Sequence, residues 1–330
     1  MDDDVLYQKD AVSHIARITL NRPAKLNAMT LDMYEKIVAH LDDVAEDDQI
    51  KVVILQGAGE NFTAGVDMNE VYDWYGPAKG ADGKKRRPSQ RRRLVVDRRT
   101  SQVYDRVTYH PKVTITAVRG FALGGGLEFL MSSDISVVGD DAKVGMPATR
   151  YLGPVLGDLH LFFHRLGPVL AKDLLLTGRI AEASELAGRG VFTRFVPAAD
   201  VTTVADELAA QVARMPADGI VIAKEAYRLV EQSMGMALSQ VSSYLLHAYG
   251  TNLQFEEDEF NFVRNRSGAD LAETFDQAEE FYLDAQRAGE GKNISLRNVR
   301  LLRVPGAAEL TGRTARLAPT PRRRSCAAPP

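Results

Sequence analysis

Cysteine is nearly absent from this chain. Cys326 is the only one in 330 residues, so neither an intrachain disulfide nor a cysteine metal cluster can form. A reducing cytoplasm is the expected location. No stretch approaches the roughly 18 consecutive apolar residues of a membrane span, and no membrane partner is expected. The opening Met-Asp-Asp-Asp has neither the basic nor the apolar region of a secretion signal. There is no Gly-x-Ser-x-Gly and no Gly-x-x-x-x-Gly-Lys, which leaves a nucleophilic serine and triphosphate hydrolysis unsupported.

What remains is an ordinary globular composition, 45% apolar and 26% charged, in a chain longer than one average domain that does not require two. The net charge of −3 hides an asymmetry. Ten of the 41 Lys/Arg and two of the 44 Asp/Glu lie from Arg287 onward, so residues 1–286 carry a net of −11. An acidic body with a basic tail is a poor nucleic-acid binder. A second basic run, Lys84 to Arg87, Arg91 to Arg93 and Arg98-Arg99, contains no aromatic residues that would stack on bases. It reads either as a solvated surface loop followed by an exposed helix, or as a lid whose cations attract phosphates.

Apolar runs at His14 to Leu20, Lys51 to Gln56, Val113 to Val118, Ile135 to Val138 and Val191 to Val196 predict strands. Thr30 is placed to cap a helix over Leu31 to Ala45, whose stripe is Leu31, Tyr34, Ile37, Val38, Leu41 and Val44. Helices are also expected over Val66 to Trp74 and Leu127 to Ser132. Beyond residue 200 they are expected over Val201 to Arg214, Ile220 to Gln232, Met236 to Tyr249, Phe255 to Arg264 and Leu271 to Gln286. The alternation implies an α/β fold with a C-terminal helical region. Expected domains are a core over 1–200 with a basic insertion near 76–100, helices over 201–288, and a disordered Pro-rich tail over 289–330.

The most informative segment is Gly120-Phe-Ala-Leu-Gly-Gly-Gly-Leu-Glu128. It reads as strand, three glycines, then helix. Glycines let a ligand approach the backbone, and a helix start offers free N–H groups, which suits a developing oxyanion. Glu128 follows within a turn. The plainer reading is a close-packed turn with a surface glutamate. A similar strand–turn pattern surrounds Asn61-Phe-Thr-Ala-Gly-Val-Asp-Met-Asn-Glu70. With Ile18 to Ala28, Lys172 to Arg179 and Ala181 to Val196, these segments resemble the crotonase family, also called the enoyl-CoA hydratase/isomerase superfamily. The resemblance covers roughly residues 12 to 235 and extends more weakly to about 285.

The resemblance implies a spiral core of ββα turns and an acyl-CoA enzyme working through a thioester enolate. It implies oxyanion donors at the N–H groups of Val66 and Gly125, and Glu128 as principal acid/base. It places Ala24, Lys25, Leu26, Ala28, Ala64, Asp67 and Met68 beside coenzyme A. No metal and no cofactor beyond the thioester substrate is implied, and the subunits are expected to form a homotrimer or hexamer. The second glutamate of related hydratases follows Gly-x-Pro, but here Gly145-Met-Pro is followed by Ala148. Asp158 is the local replacement, with helix capping as its other reading. His160 and His164 share a helix face without the glutamate of a zinc site and read as a packed or surface pair. The alternatives to hydratase/isomerase chemistry are C–C hydrolysis or decarboxylation on the same fold, or acyl-CoA binding without turnover.

Overall fold

The structure is a computed structural model. It describes residues 3–71, 73–76, 88–152, 157–249 and 253–261, with 265, 273, 274, 277, 278 and 280–282 beyond them. The chain divides into two compact units, Met1–Phe275 and Asp276–Pro330. Those residues of the second unit that are described are helical. The tail from Gly289, the cluster Lys84 to Arg87, and most of the helix expected over Leu271 to Gln286 lie outside the described residues.

In the first unit the order is β1 (Val5–Asp10), β2 (Ile15–Leu20), α1 (Leu31–Glu46), β3 (Val52–Gly57), α2 (Gln90–Thr108) and β4 (Val113–Val118). Then come β5 (Phe121–Leu123), α3 (Gly125–Ser132), β6 (Ile135–Gly139), β7 (Lys143–Gly145), α4 (Ala148–Leu152) and α5 (Leu159–Thr177). The last elements are β8 (Ile180–Glu182), α6 (Ala183–Leu186), β9 (Arg194–Val196), α7 (Val201–Ala213), α8 (Ala217–Ser233) and α9 (Met236–Tyr249).

Two sheets result, ordered β1-β2-β3-β4-β6-β9 and β5-β7-β8. From β2 to β9 the large sheet is parallel, and β1 joins it antiparallel. Each turn of chain gives a strand to the large sheet and then a shorter segment to the small one: β4 leads to β5, and β6 leads to β7. Single bridges Met29↔Val66 and Thr63↔Ala122 continue the small sheet into the two preceding turns. This stepping is the spiral. Its interior strands are buried on both faces, hence the unbroken Val-Val-Ile-Leu of β3. Val53 and Leu55 join the core under α1, while Val52 and Ile54 pack with Val201, Ala205 and Ala209 of α7.

Helix α1 forms where its cap predicts. The Thr30 hydroxyl accepts from the Met33 N–H at 3.2 Å, and Met33, Tyr34, Ile37, Leu41 and Val44 are buried. The segment around Val66 to Trp74 differs from expectation. Val66 pairs with Met29, Asn69 N–H donates to the Asp67 side chain at 2.9 Å, and only a 3-10 turn, Asp73–Tyr75, follows. The Asp67 carboxylate satisfies the backbone locally and replaces the expected helix with a turn. Likewise, residues 255–261 form a turn at 257–259 rather than the start of a helix, and β9 covers only the end of Val191 to Val196.

The second half of the basic run is not a loop. Ser89 caps α2, accepting from the Arg92 N–H at 3.2 Å, and Val96, Asp97, Val103 and Val107 form its buried side. Arg91, Arg98 and Arg99 face solvent. Helix α2 packs against both α1 and α9. This helical part of a run that looked like a surface insertion therefore supplies one wall of the candidate site.

Candidate active site

Two glycine turns are pressed together by a small hydrogen-bond network. The buried Asn27 amide donates to Ala58 O (2.9 Å) and Asn61 O (2.6 Å). The Thr63 hydroxyl donates to Asn27 O at 2.7 Å and accepts from Gly65 N–H at 3.0 Å, and Leu123 N–H donates to Thr63 O at 3.1 Å. Gly65 has φ of +95°, and a Cβ there would lie 2.8 Å from Leu123 O. Gly124 adopts φ 55°, ψ −116°, a conformation L residues avoid. Gly124→Ala is therefore expected to cost about 1–3 kcal/mol of stability, read as a lower urea midpoint at unchanged slope.

The turns set the direction of two amides. Met29 N–H donates to Gly65 O and Asp67 N–H to Met29 O, both at 2.8 Å. Val66, between them, directs its own N–H to the opposite side of this ladder. Gly125 opens α3, so its N–H has no partner within the helix. Val66 and Gly125 both line a cavity of about 350 Å³.

Glu128 lies one turn into α3 and lines the same cavity. It is enclosed by protein apart from the face it turns to that cavity. The Tyr104 hydroxyl and the Asp158 backbone N–H hydrogen-bond its carboxylate. Tyr34 and Tyr104 hydroxyls are 2.9 Å apart, extending the chain inward. Gly157, at φ +93°, lets the backbone lie against Glu128, because a Cβ would run into Oε1 and lie 2.6 Å from Phe162 Cε2. Burial, reinforced by the charges of Asp158 and Asp105, pushes Glu128 up to about 8.

Asp158 caps α5, its Oδ1 accepting from Leu161 N–H at 2.9 Å, and also lines the cavity, so the capping role leaves it at the site. Asp105 of α2 is a carboxylate that sequence reasoning missed. It lines the cavity too, and burial, with Asp158 adding, pushes it up to about 6 against the opposing Gln240 and Arg106. Ala148 is part of this wall and contributes no titratable group. At neutral pH the site thus holds Glu128 mainly protonated and Asp105 mainly ionised. The Tyr104 hydrogen bond favours the charged form of Glu128. Tyr104→Phe should therefore raise the Glu128 pKa further, and the alkaline limb of kcat/KM should move to higher pH.

The other expected residues divide. Ala64 and Met68 line the cavity. Ala24 and Lys25 belong to an exposed 3-10 turn, Pro23–Lys25, capped by Leu26 and followed by half-buried Ala28, and an Ala64 N–H bond to Leu26 O of 2.9 Å ties it to the site. The Asp67 carboxylate does not reach the cavity. It is buried against Arg22 at 2.9 Å, fastening this segment to the Gly65–Val66 turn. Among the described residues no group of three His, Cys, Asp or Glu is arranged to hold a metal ion, and no helix is long and apolar enough to cross a membrane.

This architecture has relatives. The family model for enoyl-CoA hydratase/isomerase matches residues 10–269. A probable enoyl-CoA hydratase of Mycobacterium bovis is 31% identical over 258 residues, covering 77% of this chain and 93% of the relative. An enoyl-CoA hydratase of Mycobacterium tuberculosis is 35% identical over 197 residues, 59% of this chain and 70% of the relative. Among solved structures, an enoyl-CoA hydratase/isomerase from Xanthobacter autotrophicus Py2 superposes with a TM-score of 0.71 at 26% identity, covering 84% of this chain and 98% of that one. A probable enoyl-CoA hydratase from Mycobacterium smegmatis gives 0.65 at 29% identity, covering 74% and 93%.

Proposed function

The chain belongs to the enoyl-CoA hydratase/isomerase family, and from that premise we propose that it hydrates an enoyl-CoA thioester through an enolate. The observation that carries this reading is the meeting, in one cavity, of Val66, Gly125 and the raised carboxyl of Glu128. The thioester oxygen accepts from the two backbone N–H groups, each donor of this kind being typically worth about 3 kcal/mol in the transition state. Asp158, as carboxylate, takes a proton from water as the water oxygen bonds to the β-carbon. The double-bond electrons move onto the thioester oxygen. Glu128 then gives its proton to the α-carbon, and a proton passing from Asp158 to Glu128 restores the site. The relatives named enoyl-CoA hydratase favour this direction.

Ala148 favours a second reading. With no carboxylate there, Glu128 alone carries a proton between the α- and γ-carbons, which is double-bond isomerisation. In either case coenzyme A runs past Ala24, Lys25, Leu26 and Ala28 at the rim, its pantetheine between Ala64 and Met68. No cofactor beyond the thioester takes part, the assembly is a homotrimer or hexamer, and the location is cytoplasmic. Incubation with 2-enoyl- and 3-enoyl-CoA esters and product identification by NMR tests the proposal. A 3-hydroxyacyl-CoA from the 2-enoyl ester supports hydration; interconversion of the two enoyl esters alone supports isomerisation. Tight binding of both esters with no product would remove the enolate reading.

A further inference from the structure

The wall facing the cavity from α2 and α9 holds a charge cluster that the enolate chemistry leaves unused. Asp97 is 2% exposed, yet it lines the cavity together with Tyr75 and His247. The Tyr75 hydroxyl donates to Asp97 Oδ1 at 2.7 Å, and His247 Nδ1 lies 2.9 Å from the same oxygen. Arg93 Nε is 3.2 Å from Oδ2, and its guanidinium lies 4.2 Å over the Tyr75 ring. A buried carboxylate needs such partners, because removing the charge from water is costly. Their geometry is nonetheless loose. Asp97 Oδ2, Arg93 Nε and His247 Nδ1 are buried without a properly formed hydrogen bond among the described residues. A purely structural clamp would be better saturated.

The exposed part of His247 decides what this wall can bind. Its Nδ1 is shut off against Asp97, while the side chain keeps 23% exposure, so the accessible part lies away from Nδ1. An imidazole whose Nδ1–H faces a carboxylate presents Nε2 as an acceptor. Neighbouring hydroxyls point the same way. Thr100, Ser101 and Ser243 line the cavity and donate to Val96 O, Arg98 O and Gln240 O, so each hydroxyl uses its proton within its own helix and can act there as an acceptor. The wall is thus rich in acceptors. It also shares the cavity with Asp105 and Asp158, whose charges repel a carboxylate.

We propose that this wall is a subsite for a hydroxyl on the acyl group, remote from the thioester, accepted by His247 with Asp97 holding the ring. The subsite rests on the acyl-CoA reading above and narrows it to oxygenated acyl groups. The test uses saturated esters, which do not turn over: hexanoyl-CoA, its derivatives hydroxylated at the fourth, fifth or sixth carbon, and adipoyl-CoA, with binding measured by calorimetry. At least one hydroxylated ester is expected to bind roughly tenfold tighter than hexanoyl-CoA, the increment of about one good hydrogen bond, and adipoyl-CoA more weakly. His247→Leu should erase the hydroxyl advantage, bringing the hydroxylated esters to the hexanoyl-CoA affinity measured on the same variant; His247→Gln, which can still accept, should keep part of it. Equal affinities across the wild-type panel, tighter binding of adipoyl-CoA, or an equal loss for every ester in His247→Leu would overturn the subsite. Failure of every ester to bind would instead contradict the acyl-CoA reading and take the subsite with it.

Discussion

Glu128→Gln loses turnover by at least about 10²–10⁴, the range of general acid–base contributions, while the fold and the affinity for saturated acyl-CoA esters persist. Glutamine keeps the shape of the side chain, and its amide oxygen can still accept a hydrogen bond in place of a carboxylate oxygen, so the packing against Gly157 survives. What it cannot do is deliver a proton. In the wild type, burial keeps that proton on Glu128 up to a pH of about 8. Since hydration uses the protonated form, kcat/KM for hydration should fall as pH rises through that value. A variant retaining more than a tenth of wild-type kcat would move the proton-carrier role elsewhere.

Asp158→Asn has the second largest expected effect, a loss of about 10²-fold in kcat with little change in CoA-ester affinity. Asparagine still caps α5 through the Leu161 N–H, so the substitution separates chemistry from capping. A second readout comes from charge. Asp158 raises Glu128 as an anion nearby, so its neutralisation should lower the Glu128 pKa and move the alkaline limb to lower pH. A shifted limb with undiminished kcat would make Asp158 an electrostatic neighbour only, and Asp105 would then be the next carboxylate to replace.

How much of this was legible in the sequence depends on whether local or distant contacts fix each part. The central strands were readable because both of their faces are buried and the apolar runs are unbroken. Helix α1 was readable because Thr30 and its stripe are local signals. The edge strand β1 was not predicted, since most of its residues remain at least partly exposed and Val5 alone is fully buried. Val66 to Trp74 carries helix-like apolar spacing, but Met29 captures the Val66 segment as a strand and Asp67 is drawn to Arg22. Those partners are far away in sequence. Helix α2 was expected only as an exposed helix after the basic loop, because its arginines hid the buried side formed by Val96, Val103 and Val107. Its Tyr104 and Asp105 acquire chemical meaning only when the fold sets them beside Glu128 and Asp158. The glycine-rich turn was visible from the start because its need for a bare backbone is local: Gly124 holds a conformation closed to side chains, and Gly65 has no room for one.

The central claim is that this cavity forms a thioester enolate. The most direct measurement is proton exchange at the α-carbon of a saturated ester, hexanoyl-CoA, in D₂O above a pH of about 8, where Glu128 is ionised and can act as the base, followed by NMR. No double bond is needed, so hydration and isomerisation drop out and only enolate formation is read. The wild-type protein is predicted to exchange the α-protons well above the uncatalysed rate, with Glu128→Gln reduced to background while binding the ester equally well. Wild-type protein that binds hexanoyl-CoA and leaves its α-protons unexchanged would contradict the account.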